Sequence, residues 1–234
     1  MISAAANSSF WIALEIIALC STATFSAAAA DPLFTPQRGF FDHSIDVSIR
    51  SDVAGAKILF TTNGFPATQE FGKSYIEPLQ ITGSTIVRAA VYDGGHLVGE
   101  PQTQSYIFMK DVLKQTGDAF PKQWGTNNGK AVIADYEMDP NVVNAAAYRD
   151  TIRDDIVGKI PTLSIVMSQA DLFGPGGIYS NTEGRGDAWE RPCSMELIYP
   201  DPALSPTGQG GFHVNCGIRI YGYGWRSHHL ATVI

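Results

Sequence analysis

Three carboxylates alternate along the chain at Asp135, Glu137 and Asp139. In extended backbone they would share one face, an arrangement suited to a hard cation such as calcium. The segment lacks EF-hand spacing and the glycine its turn requires. Asp139 precedes Pro140, the pairing of an N-cap acid with a first-turn proline, so the reading is a helix cap with solvated neighbours and no metal site is assigned. The histidines, His43, His96, His213, His228 and His229, follow no H-E-x-x-H or i, i+4 pattern. The loop Phe173–Gly177 lacks the Gly-Lys-Ser/Thr of a phosphate loop, and Gly222-Tyr223-Gly224 is a lone G-x-G. No Gly-x-Ser-x-Gly elbow occurs, and Arg185-Gly186-Asp187 is a three-residue match of the kind chance supplies. A glycosidase would need two facing carboxylates, for which Asp187, Glu190 and Glu196 are the candidates; this reading ranks last. No catalytic residue, metal ligand or cofactor is therefore assigned.

Two cysteines, Cys193 and Cys216, sit in or beside strand-like runs. On adjacent antiparallel strands a bridge between them would close a loop of ~24 residues and stabilise by roughly 3 kcal/mol. Two buried free thiols are the other outcome, and the bridge is slightly favoured.

The elements that must carry these residues fall into two textures. Residues 33–109 hold short strand-like runs, Ile45–Ile49, Lys57–Thr62, a stretch through Ile76, Leu79 and Ile81, Thr85–Tyr92, and Gln104–Phe108. Asn63-Gly64 and Asp93-Gly94-Gly95 punctuate them as turns. Many short strands without a helical period predict an antiparallel, immunoglobulin-like all-β sandwich. From Lys110 onward, Val142, Val143, Ala146, Ile152, Ile156 and Val157 recur at helical spacing between Asp139 and Gly158. Strands are expected at Thr162–Met167, Ser194–Tyr199 and Phe212–Tyr221, which makes the second half an α+β region.

The 234 residues carry 44% hydrophobic and 17% charged side chains, a folding composition, and a net charge of -7. That sign disfavours a nucleic-acid partner. Phe10–Leu14 and Ile16–Cys20 are apolar and lead into Ala27–Ala30, which reads as a secretory signal peptide over residues 1–30, with Glu15 and the absence of a basic n-region as departures. Export to the medium or cell surface follows, with no membrane span once the signal is removed and a glycan or cell-surface component as the candidate partner. Trp124, Trp189 and Trp225 all follow the sandwich, so a flat sugar-stacking platform is not evident on it.

Thr61-Thr62-Asn63-Gly64, Tyr75 and Ile81–Ala89 resemble a bacterial module, the chitobiase/β-hexosaminidase C-terminal-like sandwich, also called the glycoside hydrolase family 29D-like sandwich. Phe65-Pro66-Ala67-Thr68 compresses one part of that pattern by a residue. The resemblance implies an accessory domain of secreted enzymes and surface proteins, here residues 31–110, with no catalytic residues to transfer. Within a second domain at residues 111–234, about residues 120–222 resemble the N-terminal part of the CotH (spore-coat protein H) kinase family, through Asp135–Pro140, Ile160–Val166, Asp171–Gly174, Gly177–Tyr179, Trp189–Ser194 and Gly217–Ile220, whereas Ser227–Ile234 departs from the pattern. Full-length members of that family are expected to use ATP and Mg²⁺. The acids that would hold them are expected beyond Ile234, so the resemblance implies an incomplete, non-catalytic region without cofactor.

An incomplete second half would leave Phe212, Val214, Ile218 and Ile220 on strands with an unpaired edge or an uncovered face. Limited proteolysis of the exported chain is then expected to leave a resistant fragment near residues 31–110. Equal resistance of both halves in a soluble monomer would contradict that expectation.

Overall fold

The computed structural model describes residues 30–221 apart from 119, 128–129 and 207–209. The expected signal peptide at residues 1–30 lies outside the described residues except for Ala30, as do Gly222-Tyr223-Gly224, Trp225, His228 and His229.

The strands in chain order are β1 (Leu33–Thr35), β2 (Gly39–Phe41), β3 (Ile45–Arg50), β4 (Lys57–Thr61), β5 (Lys73–Ser74), β6 (Leu79–Ile81), β7 (Thr85–Asp93) and β8 (His96–Phe108). They form two sheets, β1-β3-β6 and β2-β8-β7-β4-β5. Alternation decides which side chains meet between them. Phe34, Val47, Ile49 and Ile81 come from the smaller sheet and Val87, Ala89, Tyr106 and Phe108 from the larger, and together they make the buried core. This is a β-sandwich, with β2 running parallel to β8 and every other pairing within the two sheets antiparallel.

Turn chemistry places the strands. Asp93 pairs with His96 across Gly94-Gly95, whose φ values of 55° and 86° are those a two-residue hairpin of right-handed strands demands. Gly64 also has a positive φ, and Asn63 Oδ1 accepts from Phe65 N at 3.2 Å, closing the turn after β4.

Beyond the sandwich come α1 (Met109–Val112), the hairpin β9 (Gln123–Asn127) and β10 (Lys130–Ile133), α2 (Pro140–Val143), α3 (Arg149–Lys159), β11 (Thr162–Val166), α4 (Gln169–Phe173), β12 (Arg191–Ile198) and β13 (Gly211–Ile218). The last three strands form an antiparallel sheet with β12 central. Two helices replace the single helix expected between Asp139 and Gly158. Asp139 caps α2 by accepting from Asn141 N, but Val142, Val143 and Asn144 are weak helix formers and the chain turns before α3 begins. β8 is longer than Gln104–Phe108 because it starts at the glycine hairpin. Phe212 lies on the edge strand β13 and is 46% exposed, while Val214 and Ile218 are half-buried.

The sheet β11-β12-β13 stacks on the outer face of the larger sandwich sheet. Tyr106 and Phe108 point into the core, so their neighbour Ser105 points the other way, where it meets Ser164 of β11 and Glu196 of β12. The three-stranded sheet turns its polar face inward: Ser164 pairs with Glu196 and Glu196 with His213. Its opposite face carries Leu163, Leu197 and Phe212 in one row and Ile165, Met195 and Val214 in the next.

Candidate functional site

Glu196 is fully buried, and its environment is built from residues distant in sequence. Ser105 Oγ donates to Glu196 Oε2 at 2.5 Å, and Ser105 N donates to Oε1 at 3.3 Å. Arg38 Nε approaches Oε1 at 3.4 Å. With its proton committed to Glu196, Ser105 Oγ accepts from Ser164 Oγ at 2.8 Å. Burial pushes the Glu196 carboxyl above the usual carboxylate range, against the pull of the Ser105 bonds and the Arg38 charge. A buried carboxylate stripped of a partner costs roughly 3–5 kcal/mol, so these contacts hold one another in place.

Beside this cluster, Ser194 Oγ and His213 Nε2 are 2.8 Å apart. A hydroxyl against an imidazole is the start of a nucleophile–base pair. Here Ser194 is wholly buried, so no substrate carbonyl reaches it, and Glu196 spends its oxygens on Ser105 and Arg38. Burial, then the nearby Arg38 and Arg88 charges, lower the His213 pKa from 6.5 to about 4. His213 is neutral at pH 7 and serves as a polar partner inside the stack.

A cleft of about 530 Å³ opens next to this layer, between the sandwich and β13. Asp31, Glu100, Gln102 and Gln104 line it from one side and His213 and Asn215 from the other, with Gln37 and Arg38 at the chain's turn after β1. Asp31 Oδ1 accepts from Glu100 N at 2.7 Å, and Oδ2 from Gln102 Nε2 at 3.3 Å. This approach needs Gly99: at φ +68° a Cβ there would stand 2.6 Å from Asp31 Oδ1. Asn215 Nδ2 donates to Pro101 O at 2.9 Å, which ties β13 to the sandwich across the cleft. Gln104 Oε1 accepts from Arg38 N at 2.6 Å and holds the turn after β1.

The residues singled out from sequence are scattered. Asp135, Glu137 and Asp139 are exposed; Asp139 is a helix cap and Glu137 accepts from the backbone of Gly117 and Tyr136. Among the described residues no group of three or more His, Cys, Asp or Glu is placed to hold a metal. Asp187 and Glu190 share Arg219 at the surface, whereas Glu196 is buried in the sheet stack, so the three do not form a facing carboxylate pair. The Phe173–Gly177 loop is a turn whose Gly176 carbonyl accepts from Arg191, at 3.0 Å from Nε and 2.7 Å from Nη2. Cys193 and Cys216 are free thiols directly opposite one another on β12 and β13. The sequence reading missed Ser105, Arg38 and the cleft. A polar residue between the apolar positions of a strand looks like solvent-facing alternation, and only a second sheet on that face makes it interior.

Residues 36–105 match the family model described as the chitobiase/beta-hexosaminidase C-terminal domain, a span running from the turn after β1 into β8. No curated protein and no solved structure matches the chain. Among the described residues no helix is long and apolar enough to cross a membrane.

The two buried ionisable groups give opposite pH slopes. As pH falls from 6.5 to about 4, unfolded chains bind a proton at His213 that the native state does not, so stability is lost over that window. Glu196, raised in the fold, takes its proton earlier in the native state than in the unfolded chain and offsets part of the loss. His213→Gln should flatten the decline between pH 6.5 and 4 in urea unfolding, and Glu196→Gln should steepen it. Unchanged slopes in both variants would contradict the buried placement.

Proposed function

We propose that the chain is an exported accessory β-sandwich protein, without catalysis of its own, whose CotH-like second half is docked on the sandwich. The observation that carries this reading is the coincidence of the family match, residues 36–105, with a sandwich whose core is drawn from both its sheets. The burial of Ser194 and Glu196 supports a structural role for the groups that most resemble catalytic ones. On this reading residues 31–110 are the functional module and location is extracytoplasmic.

A second reading, a carbohydrate- or surface-binding role, is favoured by the cleft beside β13. Sugars are bound through hydroxyls, and Gln37, Gln102, Glu100 and Asn215 bring amide and carboxylate groups together there. The matched family's name directs the choice of ligand toward N-acetylglucosamine oligomers. Titration of the chain with such oligomers should give saturable binding, and Gln37→Ala or Gln102→Ala should weaken it by roughly 2- to 10-fold for each hydrogen bond lost. No binding to these or to a broad glycan array would remove the carbohydrate reading. Phosphate released from ATP and Mg²⁺ above background by the purified chain would remove the non-catalytic one.

A further inference from the structure

We infer that Cys193 and Cys216 are a cross-strand disulfide site, and that its oxidation locks the edge strand β13 onto β12. The two residues are register partners in an antiparallel pair. Opposed residues in such a pair have Cα atoms ~4.5–5.5 Å apart, inside the ~4.4–6.8 Å range that a disulfide spans. Their sulfurs are 3.5 Å apart, so both side chains already point to the same spot. Rotation about the two Cα–Cβ bonds, without moving the strands, brings them to a bonding distance of ~2.05 Å.

The position gives the bond a consequence. Among the described residues β13 pairs with β12 alone, so no described strand holds its other edge. It nevertheless supplies His213 to the polar layer and Asn215, the neighbour of Cys216, to the cleft. A covalent link at this point fixes that wall whether or not the cleft holds a sugar.

The chemistry is thiol–disulfide exchange with a low-molecular-weight disulfide such as oxidised glutathione. Cys216 is the more exposed thiol and, as the thiolate, attacks one sulfur of the reagent, releasing one glutathione thiol and forming a mixed disulfide. Cys193 then loses its proton and attacks the Cys216 sulfur, releasing the second glutathione thiol. Two protein thiols are oxidised and one small disulfide is reduced to two thiols. Burial, with the neighbouring Cys216, pushes the Cys193 thiol up to about 12, so the second step is the slower one and the mixed disulfide on Cys216 should be visible on the way.

The test uses the full chain carrying Cys20→Ser, reduced and then treated with oxidised glutathione at pH 8. Trypsin leaves both cysteines in one peptide, so the chain is cut after Glu196 with a glutamate-specific protease. The fragment 191–196 is then expected to stay joined to the fragment that begins at Leu197 until reductant is added. Oxidation should raise the melting temperature by roughly 5–10 °C and slow amide exchange at residues 212–217. Cys216→Ser should abolish both the link and the oxidant-dependent shift. Two titratable thiols in the oxidised chain after unfolding, a linkage only between chains, or an end point of stable glutathione adducts would overturn the site. A bond that forms without slowing exchange in β13 would overturn the locking.

Discussion

The structure depends on the burial of one carboxylate. Glu196 lies between two sheets, where solvent cannot screen it, and its oxygens are met by Ser105 from β8 and by Arg38 from the turn after β1. These partners belong to the sandwich, while Glu196 belongs to the sheet that follows it. The cost of an unpaired buried charge thereby becomes the force that fixes how the second half docks. Ser164 and the Ser194–His213 pair extend this layer, and the Asn215 bond to Pro101 closes its rim. The cleft exists because β13 is held at that distance from β8.

A sheet that turns its polar face inward leaves its apolar face outward. Leu163, Ile165 and Phe212 are 50%, 43% and 46% exposed on the far side of β11-β12-β13. Hydrophobic burial therefore contributes less to this sheet than it does in the sandwich, where Val47, Val87, Ala89 and Phe108 are sealed. Specific hydrogen bonds must supply what area does not, and they are worth less each and are more demanding of geometry. Two regimes of stability meet along β8: an apolar core on one side and a polar layer on the other.

The sandwich was legible because its signals are local. Alternation in Ile45–Ile49, the Asp93-Gly94-Gly95 turn and the apolar run of β7 each determine an element without help from distant residues. The capping role of Asp139 was legible for the same reason. The helix after it was overextended because hydrophobic spacing continued where helix propensity failed, at Val142–Asn144. The candidate site was hidden because its members are 91 residues apart in the case of Ser105 and Glu196. A lone Ser in a strand and a lone Glu in another carry no mark of burial until a third layer is stacked on them. The cysteine pair stood between: its strands could be guessed, but their register could not.

The Glu196 layer couples the two halves, and hydrogen exchange in Ser105→Ala measures that coupling most directly. The substitution lies in β8 and removes the shortest of the bonds to Glu196. Amides of residues 191–198 and 211–218 should lose protection by roughly tenfold or more in this variant, while those of β3 and β7 keep theirs. Unchanged protection across β11-β12-β13 would show that the second half is held by something other than this carboxylate.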